Sequence, residues 1–205
     1  RDNNMKLSRR TLIGAAGISV IGIGTPGVVS AQSWRGNFGM MPRFKNARSV
    51  KPPNPRAEIA MNLITDAVGI ERTIKLYSAH ITKTRIAGFA TTLNGTRYIV
   101  YDRAKVPWPE TITPWTSVFL MAHEVGHHVA VHNFRKDIQK IRLELEADRF
   151  AGFALSRLGA TEAQATYYYR GNGPETITHP SSLASTASAR AGWKLGERMK
   201  RREQS

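Results

Sequence analysis

The chain has 205 residues, enough for one domain with a real core. It carries 30 Lys+Arg against 15 Asp+Glu, a formal net charge of +15, and no cysteine. The missing thiol excludes disulfides, thiolate metal ligands and a cysteine nucleophile. No recognisable nucleic-acid-binding motif accompanies the positive charge, so no nucleic-acid partner is expected.

In chain order, Met5-Lys6-Leu7 reads as a natural start, with Arg1 to Asn4 an upstream extension. Ser8-Arg9-Arg10-Thr11 then leads into a Gly-rich apolar run from Leu12 to Val29. Two arginines before such a run resemble a twin-arginine export signal, and Val29-Ser30-Ala31 supplies small residues suited to cleavage. Gly14, Gly17, Gly22, Gly24 and Pro26 interrupt the run and argue against a stable membrane helix. Residues 1–31 are therefore expected to be a signal handled by the twin-arginine export machinery, the alternative being an uncleaved anchor. Either way the expected location is extracytoplasmic, such as the periplasm. Residues 32–56 hold Arg35, Arg43, Lys45, Arg48, Lys51 and Arg56, no acid, and Pro52-Pro53-Asn54-Pro55 at their end. They read as an extended linker. Its Trp34, Phe38, Met40, Met41 and Phe44 either dock on the domain or a membrane surface, or belong to a floppy leader. The charge suits an anionic membrane or cell-wall surface, or an acidic substrate.

A folded domain is expected over 57–195. Ile59, Ala60, Leu63, Ile64 and Ala67 predict an amphipathic helix over 57–68, closed by Gly69. Thr73 to Tyr77 alternates as a strand does, and His80 beyond it is read as structural. Residues 86–92 and 96–101 flank Asn94-Gly95, a hairpin signal. Thr113-Pro114 opens a helix with proline at its first position, running to about His132. Trp115, Val118, Phe119, Ala122 and Val125 recur along it at helical spacing. This helix carries His123-Glu124-Val125-Gly126-His127. Positions i and i+4 share one helix face, so His123 and His127 present two imidazoles to one point. Two neutral imidazoles suit zinc, and Glu124 beside them can act as general base on a water held there. His128 points about 100° away around the helix, and both it and His132 are read as structural.

A second helix is expected from about Asp137 to Leu158, stopping at Gly159. Its spacing places Glu144, Asp148 and Ala151 on one face, with Ala147 beside them and Glu146 turned elsewhere. Small alanines allow close approach to the first helix. Glu144 is the expected third ligand, and Asp148 is placed to accept the free ring N–H of a ligating histidine. The alternative is that these acids form a solvated face. Thr161-Glu162-Ala163-Gln164 is a capping box opening a third helix to about Tyr169. Gly171-Asn172-Gly173-Pro174 reads as a mobile loop, and His179-Pro180 follows. A final helix runs through Leu183, Ala187, Ala191 and Trp193, before a basic tail over 196–205 containing Lys200-Arg201-Arg202.

His123-Glu124-x-x-His127 followed by Glu144-x-x-Ala147-Asp148 resembles the M48-type gluzincin metallopeptidases, and more closely their small soluble bacterial members. The shared features run from about Ala57 to Trp193. The resemblance implies an α+β, zincin-like fold, mostly helical with a small sheet or hairpin beside the H-E-x-x-H helix. It implies a zinc-dependent endopeptidase with one zinc per chain and a protein or peptide substrate. In that family a strand at the position of 86–92 lies on the sheet edge above the zinc, where a substrate adds as a further strand. Relatives commonly carry Asn-Ala near its start, whereas this chain has Ala87-Gly88, which leaves one substrate-backbone contact open. The family's His-Pro matches His179-Pro180, so His179 is either a second catalytic residue, donating to the oxyanion, or a structural cap. Relatives often place an arginine six residues later; here Ser185 stands there, and Arg190 lies further along. Two rivals to an envelope endopeptidase stay open. One is an exported zinc-containing binding protein without catalysis. The other is a cytosolic nucleic-acid-binding protein whose Arg9-Arg10 belongs to a basic arm.

Overall fold

The computed structural model describes residues 47–82, 87–110, 113–131, 139–169 and 180–205. The expected signal, residues 32–46, His132, the loop at 171–174 and His179 lie outside them. The described residues form β1 (Ala47–Lys51), α1 (Pro55–Ala67), β2 (Ile74–Ile81), β3 (Gly88–Leu93), β4 (Thr96–Asp102), α2 (Trp115–Val129), α3 (Lys140–Arg157), α4 (Glu162–Thr166) and α5 (Ser182–Glu203), with a 3-10 turn at Tyr167–Tyr169. The fold is mixed α and β.

The local signals form what their chemistry asks for. Asn54 caps α1 by accepting the Arg56 N–H at 2.8 Å. Gly69 closes α1 at φ 70, with Ile70 N–H on Thr65 O at 3.0 Å and Gly69 N–H on Asp66 O at 3.1 Å. That paired C-terminal motif needs a left-handed residue, which glycine adopts without a Cβ clash. The same motif recurs at Gly159, φ 88, after α3. Thr161 and Gln164 form both bonds of the capping box at α4. Asn94 and Gly95 both sit at positive φ, 47 and 76, as a two-residue hairpin turn of this hand requires. α2 starts at Trp115, with Pro114 at the cap rather than inside the helix. Ser117 Oγ ties that end to Pro107 O at 2.6 Å.

The sheet order is β1-β2-β4-β3. β1 pairs antiparallel with β2, β2 runs parallel to β4, and the hairpin partner β3 forms the far edge. Side-chain alternation divides the sheet cleanly. Ile74, Leu76, Ala90, Ile99 and Tyr101 face the helices, where they join Met61, Ile64, Phe119, Met121, Val125 and Leu155 in the main core. Ala79, Ile81, Phe89 and Val100 pack together as a second cluster.

Two stretches depart from the sequence expectation. Part of the basic segment read as linker is strand β1, and α1 begins at Pro55 within it. An edge strand needs no apolar alternation, and charged residues there discourage pairing with other chains. The stretch read as a basic tail continues α5 to Glu203. Its side chains pair back onto α3: Arg157 with Glu203 at 2.6 Å, and Lys200 Nζ with Ser156 O at 3.0 Å.

Glycines set how closely the helices pack. A Cβ on Gly152 would lie 1.9 Å from Ala189 O, and one on Gly192 would lie 1.8 Å from Arg149 O. α3 and α5 therefore touch backbone to backbone. At Gly126, between the two histidines of α2, a Cβ would meet Ala147 Cα and Phe150 Cβ, each at 3.1 Å. That close approach brings the acidic face of α3 against α2. Among the described residues no helix is long and apolar enough to cross a membrane.

Candidate metal centre

α2 is buried over Ser117 to Gly126 and again at His128, because it lies between the sheet and α3. A polar side chain on such a helix must find partners. His123 finds Asp148, donating its Nδ1–H to Oδ1 at 2.8 Å. That bond sets the tautomer and leaves the Nε2 lone pair facing the other way. His123 Nε2 lies 3.0 Å from His127 Nε2 and 3.2 Å from Glu144 Oε2. His127 Nε2 lies 3.6 Å from the same Oε2. The two rings stand 4.7 Å apart at 82°.

Two imidazole nitrogens and a carboxylate oxygen thus converge on one point. Without a positive charge between them, lone pairs would face lone pairs. Three atoms so spaced lie on a circle of roughly 1.9 Å radius, just under the ~2.0–2.2 Å bond to a first-row divalent ion such as zinc. One ion can therefore touch all three from slightly outside their plane. His123, His127 and Glu144 are the one group of this kind among the described residues. His127 and Glu144 keep 16% and 24% of their side chains exposed, so the point can be reached from solvent.

The electrostatics show the same appetite for a cation. Burial by itself would lower the pKa of His123. The hydrogen bonds and charges of Asp148 and Glu144, with Glu124 adding its own charge, outweigh burial and hold it well above the ordinary value. Burial by itself would raise Glu144, but His123 and His127 hold its carboxyl well below the usual range. The donor set fits a metal ion, with the proton as competitor.

Glu124, 6% exposed, sits on the sheet side of α2. A Cβ built on Gly88 of the edge strand would lie 3.7 Å from its Oε1. The start of β3 therefore borders this carboxylate. Ala87 O just before it accepts the Asp102 N–H at 2.7 Å, which holds the strand end in place. His128 turns away from the cluster and bonds the Tyr98 carbonyl at 2.9 Å. Burial lowers its pKa, so it serves there as a neutral donor. Arg190 pairs with Glu162 of α4 at 2.7 Å. Glu146 pairs with Arg142 at 3.4 Å on the exposed side of α3.

Sequence reasoning passed over Tyr168 and Tyr169. Tyr169 donates its O–H to Asp148 Oδ1. Tyr168 stacks on Phe119 at 5.3 Å, and burial, with the charges of Glu124 and Asp148, pushes its phenol up to about 12. The signal was the run itself, since Tyr167-Tyr168-Tyr169 holds three of the chain's six tyrosines. No known protein family, curated protein or solved structure matches the chain.

Proposed function

We propose that this chain is a zinc-dependent endopeptidase with a zincin-like arrangement of the gluzincin kind. The observation that carries the reading is the convergence of His123, His127 and Glu144 on one solvent-reachable point, with Glu124 next to the first ligand on the same helix. Two imidazoles and one carboxylate are a ligand set found in catalytic zinc sites. A purely structural zinc would ask for a fourth protein ligand and has no use for Glu124.

Zinc at this point would act as a Lewis acid, making water acidic enough to ionise near neutral pH and polarising a carbonyl. The rest falls to the chain's own residues. Asp148 holds the His123 ring in the tautomer that offers Nε2 outward. Glu124 accepts a proton at its carboxylate from the attacking water and returns it to the leaving nitrogen. In this reading β3, last in the strand order and with no side chain at Gly88, offers backbone groups to an extended peptide beside Glu124. Export by the twin-arginine route and action on envelope proteins remain part of this reading, resting on Arg9-Arg10 and the apolar run after them.

The test is metal analysis combined with digestion of a protein or peptide library, with and without chelator. The purified chain is expected to hold one zinc and to cut peptides until the chelator removes it. Glu124→Gln should keep the zinc and lose hydrolysis by a factor of roughly 10² or more. A variant that cuts at the wild-type rate would refute the general-base assignment.

A further inference from the structure

The tyrosine turn after α4 reaches the metal centre from behind. Tyr169 and His123 donate to the same atom, Asp148 Oδ1, the histidine at 2.8 Å. Ser185 of α5, 2% exposed, lies near enough to the phenol of Tyr169 to lower its pKa slightly. Tyr169, Asp148 and His123 thus form one line of hydrogen bonds through the turn, α3 and α2, with Ser185 of α5 beside the phenol. The phenol ring is held edge-on by Phe119 at 5.5 Å and by Tyr168 at 5.2 Å. Burial, and then the charge of Asp148, keep the Tyr169 pKa far above that of an ordinary phenol. Its O–H is therefore a donor at any working pH.

Asp148 is fully buried, and its Oδ2 has no hydrogen-bond partner among the described residues. Its orientation is thus set by what binds Oδ1. One donor leaves a carboxylate free to swing about that bond, while two donors from different elements pin it. We propose that Tyr169 is a positioning residue for the metal centre: it pins Asp148, and through it the His123 ring, in the pose that aims Nε2 at the ion. The inference rests on the metal-centre reading and adds a residue to it. Ser185 stands beside Tyr169, one step further out.

The test uses the full chain loaded with cobalt(II) or zinc, and the variants Tyr169→Phe and Ser185→Ala. Tyr169→Phe is expected to hold metal about tenfold more weakly in chelator competition, the lower end of the range for groups behind a ligand. The visible bands of its cobalt form should shift, a change that loosened packing away from the ligands does not cause. Ser185→Ala should shift the same bands in the same direction by less, and covers the case in which Tyr169→Phe does not fold. Variants with wild-type affinity and wild-type bands would overturn this inference alone. A wild-type chain that takes up no metal would overturn the metal-centre reading and this inference with it.

Discussion

Asp148→Asn separates the charge behind the ligand from its shape. Asparagine keeps the volume and an oxygen for the His123 and Tyr169 donors, and removes the charge. The His123 bond is 2.8 Å long and buried. A hydrogen bond to an ionised group contributes about 1.5–3 kcal/mol, and a neutral one about 0.5–1.5. The difference of about 1–2 kcal/mol corresponds to about 5- to 30-fold in metal affinity, at about 1.4 kcal/mol per tenfold. This overlaps the roughly 10–100-fold cost of altering a partner of a metal-bound histidine. The metal-free variant should also be less stable than wild type, because Asp148 is the buried carboxylate that pairs with the His123 ring and raises its pKa. The affinity comparison therefore needs each chain measured both with and without metal. Chelator competition gives the affinity ratio, and melting with and without zinc gives it again through linkage. Equal zinc affinity for the wild-type chain and Asp148→Asn would refute a role for the charge.

Other expectations test the frame around the site. Gly152→Ala places a methyl 1.9 Å from Ala189 O, so α5 must move off α3; a loss of about 1–3 kcal/mol or more is expected in urea unfolding. An unchanged midpoint would show that the two helices do not pack backbone to backbone. Asp102 is fully buried and accepts the Ile81 N–H at 3.0 Å and the Ala104 N–H at 2.9 Å. Burial alone would raise its pKa, but these bonds and Lys105 bring it below the ordinary value. A depressed folded pKa means stability that is full above the unfolded value, about 3.9, and lost as pH falls through the folded one. Asp102→Asn should therefore cost about 1–3 kcal/mol at neutral pH and flatten the acid-unfolding curve below about pH 4. An equally steep curve would place the acid sensitivity elsewhere.

Features written in a few neighbouring residues are legible in the sequence. Asn94-Gly95 needs only two residues at positive φ to turn a hairpin, and Thr161 with Gln164 caps a helix three residues away. Gly69 and Gly159 end helices because only the local backbone decides whether a left-handed residue is tolerated. β1 is not legible, because what makes Ala47–Lys51 a strand is the partner β2, and its own residues alternate no apolar face. The end of α5 is hidden in the same way, since Lys200-Arg201-Arg202 looks like a tail; its last turns hold through Ser156 and Arg157 of α3.

The sequence by itself determined the chemistry that fits on one helix. His123 and His127 share a face because they are four residues apart, and Glu144 and Asp148 share another for the same reason. Only the tertiary structure decided that these two faces meet. Gly126 had to admit α3 at Ala147, and α5 had to press α3 inward through Gly152 and Gly192. Only it joined Tyr169 to Asp148, from elements with no local periodicity in common. Spacing along a helix is fixed by covalent geometry, whereas contact between helices is fixed by which side chains are small enough to let backbones approach.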